Sequence, residues 1–196
     1  MKTYDRTYFD RWYRNPRTRI TSPEELRRRA GMIVATAEVV LGRRVETVLD
    51  VGCGEGRWRA PLLTLRPSAT YLGLETSEYA VERFGRPRNI RRGSFEDLAS
   101  MEARPFDLLL CCDVLHYLDP SQIDLGLPAI SRLTAGVACL DVTTREDHPS
   151  GDLDGWISRA ASWYTGRFRR AGLLPCGLSS WMPRAVCDRL GTLDRG

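Results

Sequence analysis

An α/β fold with a Rossmann-like, doubly wound sheet is predicted by three observations. Apolar, strand-like runs alternate with helix-like segments along most of the 196 residues. One such run, Glu46 to Val51, enters a turn with glycine at alternate positions, Gly52, Gly54 and Gly56. A second apolar run, Thr70 to Glu75, ends in an acid one helix length later. The sheet is expected to be mostly parallel with an antiparallel C-terminal strand, and helices should cover both faces. A single domain is expected, with residues 1–42 as a helical cover, 45–142 as a cofactor-binding core, and 143–196 as a substrate-side loop, helix and terminal hairpin.

Taken in order, residues 3–14 read as a short aromatic helix closed by Asn15-Pro16. Ser22-Pro23-Glu24-Glu25 is a capping-box pattern with proline at the first helical position, and Leu26, Ala30, Ile33, Val34, Ala37 and Leu41 give the following helix its apolar stripe. Val48, Leu49 and Val51 suit a strand buried on both faces. A helix over Ser77–Phe84 leads to a strand near Ile90, and Phe106–Cys112 is the clearest apolar run. Helix from Pro120 to Leu133 and strand from Gly136 to Val142 follow. Residues 143–154 read as a polar loop, 155–171 as a helix, and 173–180 with 183–190 as the arms of a terminal hairpin.

Composition narrows the class. Hydrophobic residues at 42% and charged ones at 28% are ordinary for a globular chain, and no run of about twenty apolar residues or apolar leader is found, so a cytoplasmic protein without membrane contact is expected. The six cysteines form no C-x-x-C pair, which disfavours a metal site and leaves them as reduced, buried thiols. The net charge of +4 is mild, and no nucleic-acid module accompanies the arginine pairs.

The glycine turn carries the chemistry. Glycines let the backbone turn tightly and approach a ligand with no Cβ in the way, and an acid ending the next strand holds ribose hydroxyls. A dinucleotide turn reads G-x-G-x-x-G, but here the third position is Arg57 and the glycine falls one residue earlier. With that spacing, Val48–Gly56 resembles the first motif of the class I S-adenosylmethionine-dependent methyltransferases, a likeness that extends with weaker motifs from about Val45 to Leu190. The resemblance implies S-adenosyl-L-methionine as methyl donor and S-adenosyl-L-homocysteine as product. It points to Asp50, Gly52, Cys53, Gly54, Gly56, Glu75 and Thr76 as cofactor contacts, to Ser94, Phe95 and Glu96 or Asp97 around the adenine, and to Cys112 and Asp113 after the fourth strand.

The segment Cys112–Leu118 faces the acceptor in this reading. His116 is the candidate base, since imidazole titrates near neutral pH, and Asp113 is a second candidate; a structural role for either stays open. Tyr8, Trp12, Tyr13, His116, Tyr117, His148, Trp156 and Trp163 are candidates for the substrate side and its lid, with core packing as the alternative for the aromatics. Arg17, Arg19 and Tyr13 are possible partners of the cofactor's carboxylate. Cys111-Cys112-Asp113-Val114 stands where methyltransferases of amide-like nitrogens resemble an Asn/Asp-Pro-Pro-aromatic tetrapeptide, so a small-molecule oxygen, amine nitrogen or carbon acceptor is expected, as in secondary metabolism. Methylation of RNA or protein, and a non-catalytic cofactor-binding domain, remain open alternatives. Oligomeric state is not legible.

Overall fold

The computed structural model describes residues 2–148 and 151–191; Met1, residues 149–150 and residues 192–196, the last two within the predicted substrate-side segment, lie outside the described residues. A short helix α1 (Arg6–Phe9) runs into a π-helical turn at Asp10–Arg14, and α2 (Pro23–Leu41) follows. The sheet is built from β1 (Thr47–Val51), β2 (Thr70–Glu75), β3 (Ile90–Arg92), β4 (Phe106–Cys112), β5 (Thr134–Asp141), β6 (Leu173–Gly177) and β7 (Ser180–Pro183). Helices α3 (Arg59–Leu65), α4 (Glu78–Arg88), α5 (Pro120–Leu133), α6 (Ala161–Arg170) and α7 (Arg184–Cys187) complete the chain. Strand order is β3-β2-β1-β4-β5-β7-β6, parallel through β5, with β7 antiparallel to both β5 and β6.

Alternation along the central strands supplies two cores. Leu49, Val51, Leu109, Cys111, Ala138 and Leu140 face α5 and α6, burying Ile123, Leu127, Ile130, Tyr164 and Phe168. Val48, Leu108, Leu110, Val137 and Cys139 face α2 and α3, against Ala30, Ile33, Val34, Ala37 and Leu62. Helix α2 has the predicted limits because local chemistry sets both ends: the Ser22 hydroxyl accepts from Glu25 N at 3.1 Å, and Gly42 ends it in the left-handed region at φ 67°. Among the described residues no helix is long and apolar enough to cross a membrane.

Four predicted boundaries shift, each for a physical reason. The first helix begins at Arg6, capped by the Asp5 carboxylate, which accepts from Tyr8 N at 2.9 Å. Helix α4 passes Phe84 and stops at Asn89, whose φ is 53°. Residues 155–160 are irregular where helix is predicted, because their backbone groups are taken: Ile157 N donates to His116 O and Arg159 O accepts from Arg145 N, both at 2.8 Å. The C-terminal hairpin is tighter than predicted. Leu178 and Ser179, at φ 50° and 61°, form a two-residue left-handed turn that matches strand twist, so the second arm ends at Pro183 and α7 replaces the rest.

Candidate active site

The glycine turn joins β1 to the end of β2 through its backbone amides, which donate to Leu74 O and to the Glu75 carboxylate. Gly52, Gly54 and Gly56 have φ of 68°, 56° and 74°, which residues with a Cβ rarely adopt. Gly52 N and Cys53 N donate to Leu74 O at 2.8 and 3.1 Å, and Gly54 N donates to Glu75 Oε2 at 2.6 Å. Glu75 Oε1 accepts from Thr76 N and Ser77 N, both at 2.8 Å. The buried Glu75 carboxylate is thus pinned at the C-terminal edge of the sheet, and Oε2 retains a lone pair for a ligand hydroxyl.

The missing side chains form a cradle. A Cβ on Gly52 would lie 2.3 Å from Val114 Cγ2, and one on Gly54 would lie 2.4 Å from Tyr13 Oη and 3.1 Å from Phe9 Cε1. Phe9 stacks on Tyr79 at 5.8 Å and meets Tyr13 edge-on at 5.0 Å. Arg14 fastens this segment through two contacts to Glu55 at 2.5 and 2.6 Å, and the Arg57 guanidinium lies 4.6 Å from the Tyr13 ring centre. The cover therefore fills the cleft. What stays open beside it is a 30 Å³ cavity lined by Asp113, His116, Tyr117, Thr143, Asp152 and Trp156. A nucleoside-sized ligand needs several hundred Å³, more than this cavity offers with residues 4–14 in place. The cradle and the Glu75 carboxylate suit a ligand bearing vicinal hydroxyls and a slender chain.

Several predicted contacts are placed elsewhere. Asp50 is 1% exposed and accepts from Tyr71 Oη at 2.6 Å on the α2–α3 side, so it supports the turn from beneath. Burial, opposed by that hydrogen bond and reinforced by the Glu75 charge, pushes its carboxyl up to about 7. Cys53 packs against Gly73, where a Cβ would stand 2.6 Å from its sulfur. Cys112 turns its thiol to Cys139, with the sulfurs 3.9 Å apart, and so faces away from the cleft. Phe95 is buried against Gly126 and leaves only its backbone for a ligand. Ser94 and Asp97 cap each other, with Ser94 N donating to Asp97 Oδ2 at 2.7 Å, while Glu96 accepts from Gln122. Both acids considered for the adenine are thereby engaged.

The two candidate bases are placed differently. His116 is 3% exposed, and its Nδ1 accepts from Thr143 N at 3.2 Å. That bond puts the hydrogen on Nε2, so the neutral ring has no free acceptor. Burial, with the Lys2 charge second and Asp141 and Asp152 opposing, holds it down at about 4. Asp113 is the more open of the two candidates. It follows β4 in the left-handed region at φ 59° and reaches the cleft mouth. It is exposed, beside the negative charge of Asp141 and the guanidinium groups of Arg29 and Arg57.

Of the aromatic candidates, Trp156 lines the cavity and its Nε1 donates to Thr143 O at 3.3 Å. Trp163 does not reach it, being sandwiched between Arg159 and Arg167 at 4.5 and 3.5 Å. Trp12 is stacked by Arg11 at 4.6 Å, and its carbonyl receives Ile20 N at 3.2 Å. His148 is exposed, and Arg17 is exposed as well. The arginines at the cleft are instead Arg14, Arg57 and Arg29, the last paired with Asp141 at 2.5 Å. Lys2 and Asp152 also stand at the cleft, and no local pattern marks them.

A sequence profile described as a methyltransferase domain matches residues 49–136. Trans-aconitate 2-methyltransferase of Deinococcus radiodurans is 29% identical over 154 residues, 75% of this chain, and the chain spans 58% of that relative's length. A putative sarcosine dimethylglycine methyltransferase from Galdieria sulphuraria superposes with a TM-score of 0.64 at 16% identity, covering 89% of this chain and 75% of the other. An O-methyltransferase of neocarzinostatin biosynthesis, solved with S-adenosyl-L-homocysteine and 1,4-dihydroxy-2-naphthoic acid, superposes with a TM-score of 0.57 at 17% identity, covering 83% and 59%. These two structures carry the fold. The strand order and the glycine turn fastened to Glu75 accompany this similarity to a methyltransferase domain, which spans residues 49–136.

Proposed function

We propose that the chain transfers a methyl group from S-adenosyl-L-methionine to an oxygen, nitrogen or carbon atom of a small molecule of secondary metabolism. The observation that supports this above the others is the glycine turn fastened to the Glu75 carboxylate. In the reading proposed here, Glu75 Oε2 and the Gly52–Gly56 backbone hold the donor, and Ser94 and Phe95 contribute main-chain groups. The bound donor supplies an electrophilic methyl on a sulfonium, with a neutral thioether as leaving group. The chain's own contribution is placement and exclusion of water, since aligned reactants need little further help. Where the acceptor must lose a proton, Asp113 takes it, its exposed carboxylate standing at the mouth of the cavity. The names of the trans-aconitate and neocarzinostatin proteins, one solved with dihydroxynaphthoic acid, support a small acceptor over RNA or protein.

Calorimetry with S-adenosyl-L-homocysteine, on the unmutated chain and on Glu75→Ala, tests the donor. Binding that Glu75→Ala abolishes is expected; absence of binding by the unmutated chain overturns the proposal. Labelled methyl transfer is then measured into small-molecule extract, bulk RNA and protein. Transfer into the first pool alone is expected, and binding without transfer to any pool identifies a cofactor-binding domain instead.

A further inference from the structure

Lys2 is the only lysine of the chain, and its ammonium sits in a ring of aromatic faces. It lies 4.1 Å from the centre of the Tyr117 ring, 5.3 Å from Tyr4 and 5.5 Å from Tyr8. Asp152 closes the ring as an ion pair, and Asp154 O accepts from the ammonium at 2.7 Å. Side-chain exposure is 15% for Lys2 and 6% for Asp152, so the pair is largely out of water. Asp152 Oδ2 is buried and has this ammonium as its counter-charge. The Tyr4 hydroxyl is pushed up to about 12, by burial first and Asp152 next, and those of Tyr8 and Tyr117 are pushed higher still, so all three rings stay neutral.

The cage borders the place where an acceptor must sit. It shares Tyr117 and Asp152 with the 30 Å³ cavity that Asp113 lines. On its other side Tyr8 meets Phe9 edge-on at 5.3 Å, and Phe9 lies over the glycine turn. Its chemistry selects for charge. Three electron-rich faces and a buried carboxylate attract a cation, gain nothing from a neutral hydroxyl and repel an anion. A lysine side chain is itself an alkylammonium on a tether.

We propose that Tyr4, Tyr8, Tyr117 and Asp152 form a subsite for the ammonium group of the acceptor, a small alkylamine, and that Lys2 occupies this subsite as an internal competitor. The assignment rests on the methyl-transfer reading. Displacement of Lys2 frees the residues that lead into the cover, so acceptor binding and opening of the donor cleft are coupled.

Because the chain has one lysine, reductive methylation with ¹³C-formaldehyde labels Lys2 and otherwise only the α-amine, which its own titration distinguishes. A Lys2 dimethyl resonance shifted by ring currents is expected, returning to the free-chain position on addition of n-butylammonium and unmoved by n-butanol or butyrate. By calorimetry Lys2→Met should bind n-butylammonium about tenfold more tightly than the unmutated chain, since the competitor is gone, and Asp152→Asn in that background should abolish the gain. Lys2→Arg, whose guanidinium also stacks on aromatic faces, should keep the weaker affinity. An unshifted resonance, equal affinity of Lys2→Met, or displacement by n-butanol overturns the subsite. Displacement by a lysine-containing peptide where n-butylammonium fails overturns the small-molecule class. S-adenosyl-L-homocysteine titrated into Lys2→Met reads the donor site separately: its failure with ammonium binding intact breaks the methyl-transfer reading and leaves the cation subsite standing.

Discussion

The two sides of the cleft are made differently. The side at β1 and β2 is main chain: three left-handed glycines and amides converging on Glu75, all within one β-turn-α-β unit. The opposite side is largely side chain, drawn from residues 2–20, 113–148 and 151–156, and fastened by long-range pairs such as Arg14–Glu55 and Lys2–Asp152. Backbone geometry is rigid and tolerates no added atom, which suits a ligand that never changes. Side-chain pairs re-form at modest cost when a residue is exchanged, which suits an acceptor that differs between relatives.

Gly52→Ala carries the largest expected effect. A left-handed φ of 68° and a Cβ 2.3 Å from Val114 Cγ2 impose strain of about 1–3 kcal/mol. S-adenosyl-L-homocysteine affinity should fall about 10- to 100-fold by calorimetry, and an unchanged affinity would break the contrast drawn above.

Asp50 comes next. Its folded value of about 7 exceeds the ordinary 3.8, so the folded state keeps a proton that the unfolded chain gives up. Its stabilising contribution is complete below about pH 4 and is lost as pH rises through 7, to an extent of roughly 2–4 kcal/mol, and Asp50→Asn should remove this slope in urea melts between pH 4 and 8.

His116 has the opposite sign on the other side of the cleft. Its folded value of about 4 lies below the ordinary 6.5, so its contribution is present above pH 6.5 and is lost as pH falls through 4. The loss is about 2 kcal/mol, and His116→Gln should flatten the acid limb; a steep fall in turnover with unchanged stability would restore His116 as a base.

Trp163→Phe is the smallest. Its rings lie between Arg159 and Arg167, so about 1 kcal/mol of stability should go while acceptor KM stays constant. A shifted KM would bring α6 into the acceptor pocket.

The same contrast explains what the sequence discloses. Helix α2, strand β4 and helix α5 have the predicted limits because a cap, an apolar run or a proline sets each end locally. The glycine turn is legible because positive φ and close approach demand a residue without Cβ. The late start of α6 is hidden, since it depends on Ile157 N finding His116 O. So is the cation cage, where Lys2 and Asp154 meet across 152 positions with no periodicity to announce them. Among the side chains near the turn, alternation alone indicates that Asp50 and Cys112 face the α2–α3 core, because each shares parity with Val48 or Leu110 on its own strand.

The strand order also sets a hazard in time. Strand β5 gains its outer neighbour only when β7 arrives from a hairpin that begins some thirty residues later, and Leu140 N waits for Ser179 O, at 2.8 Å in the finished fold. Until then a chain emerging from the ribosome presents Val137, Ala138, Cys139 and Leu140 along an unpaired, apolar edge, a template for pairing with another copy. Any proteolytic cut between Asp141 and Leu173 that releases the hairpin re-creates that unpaired edge.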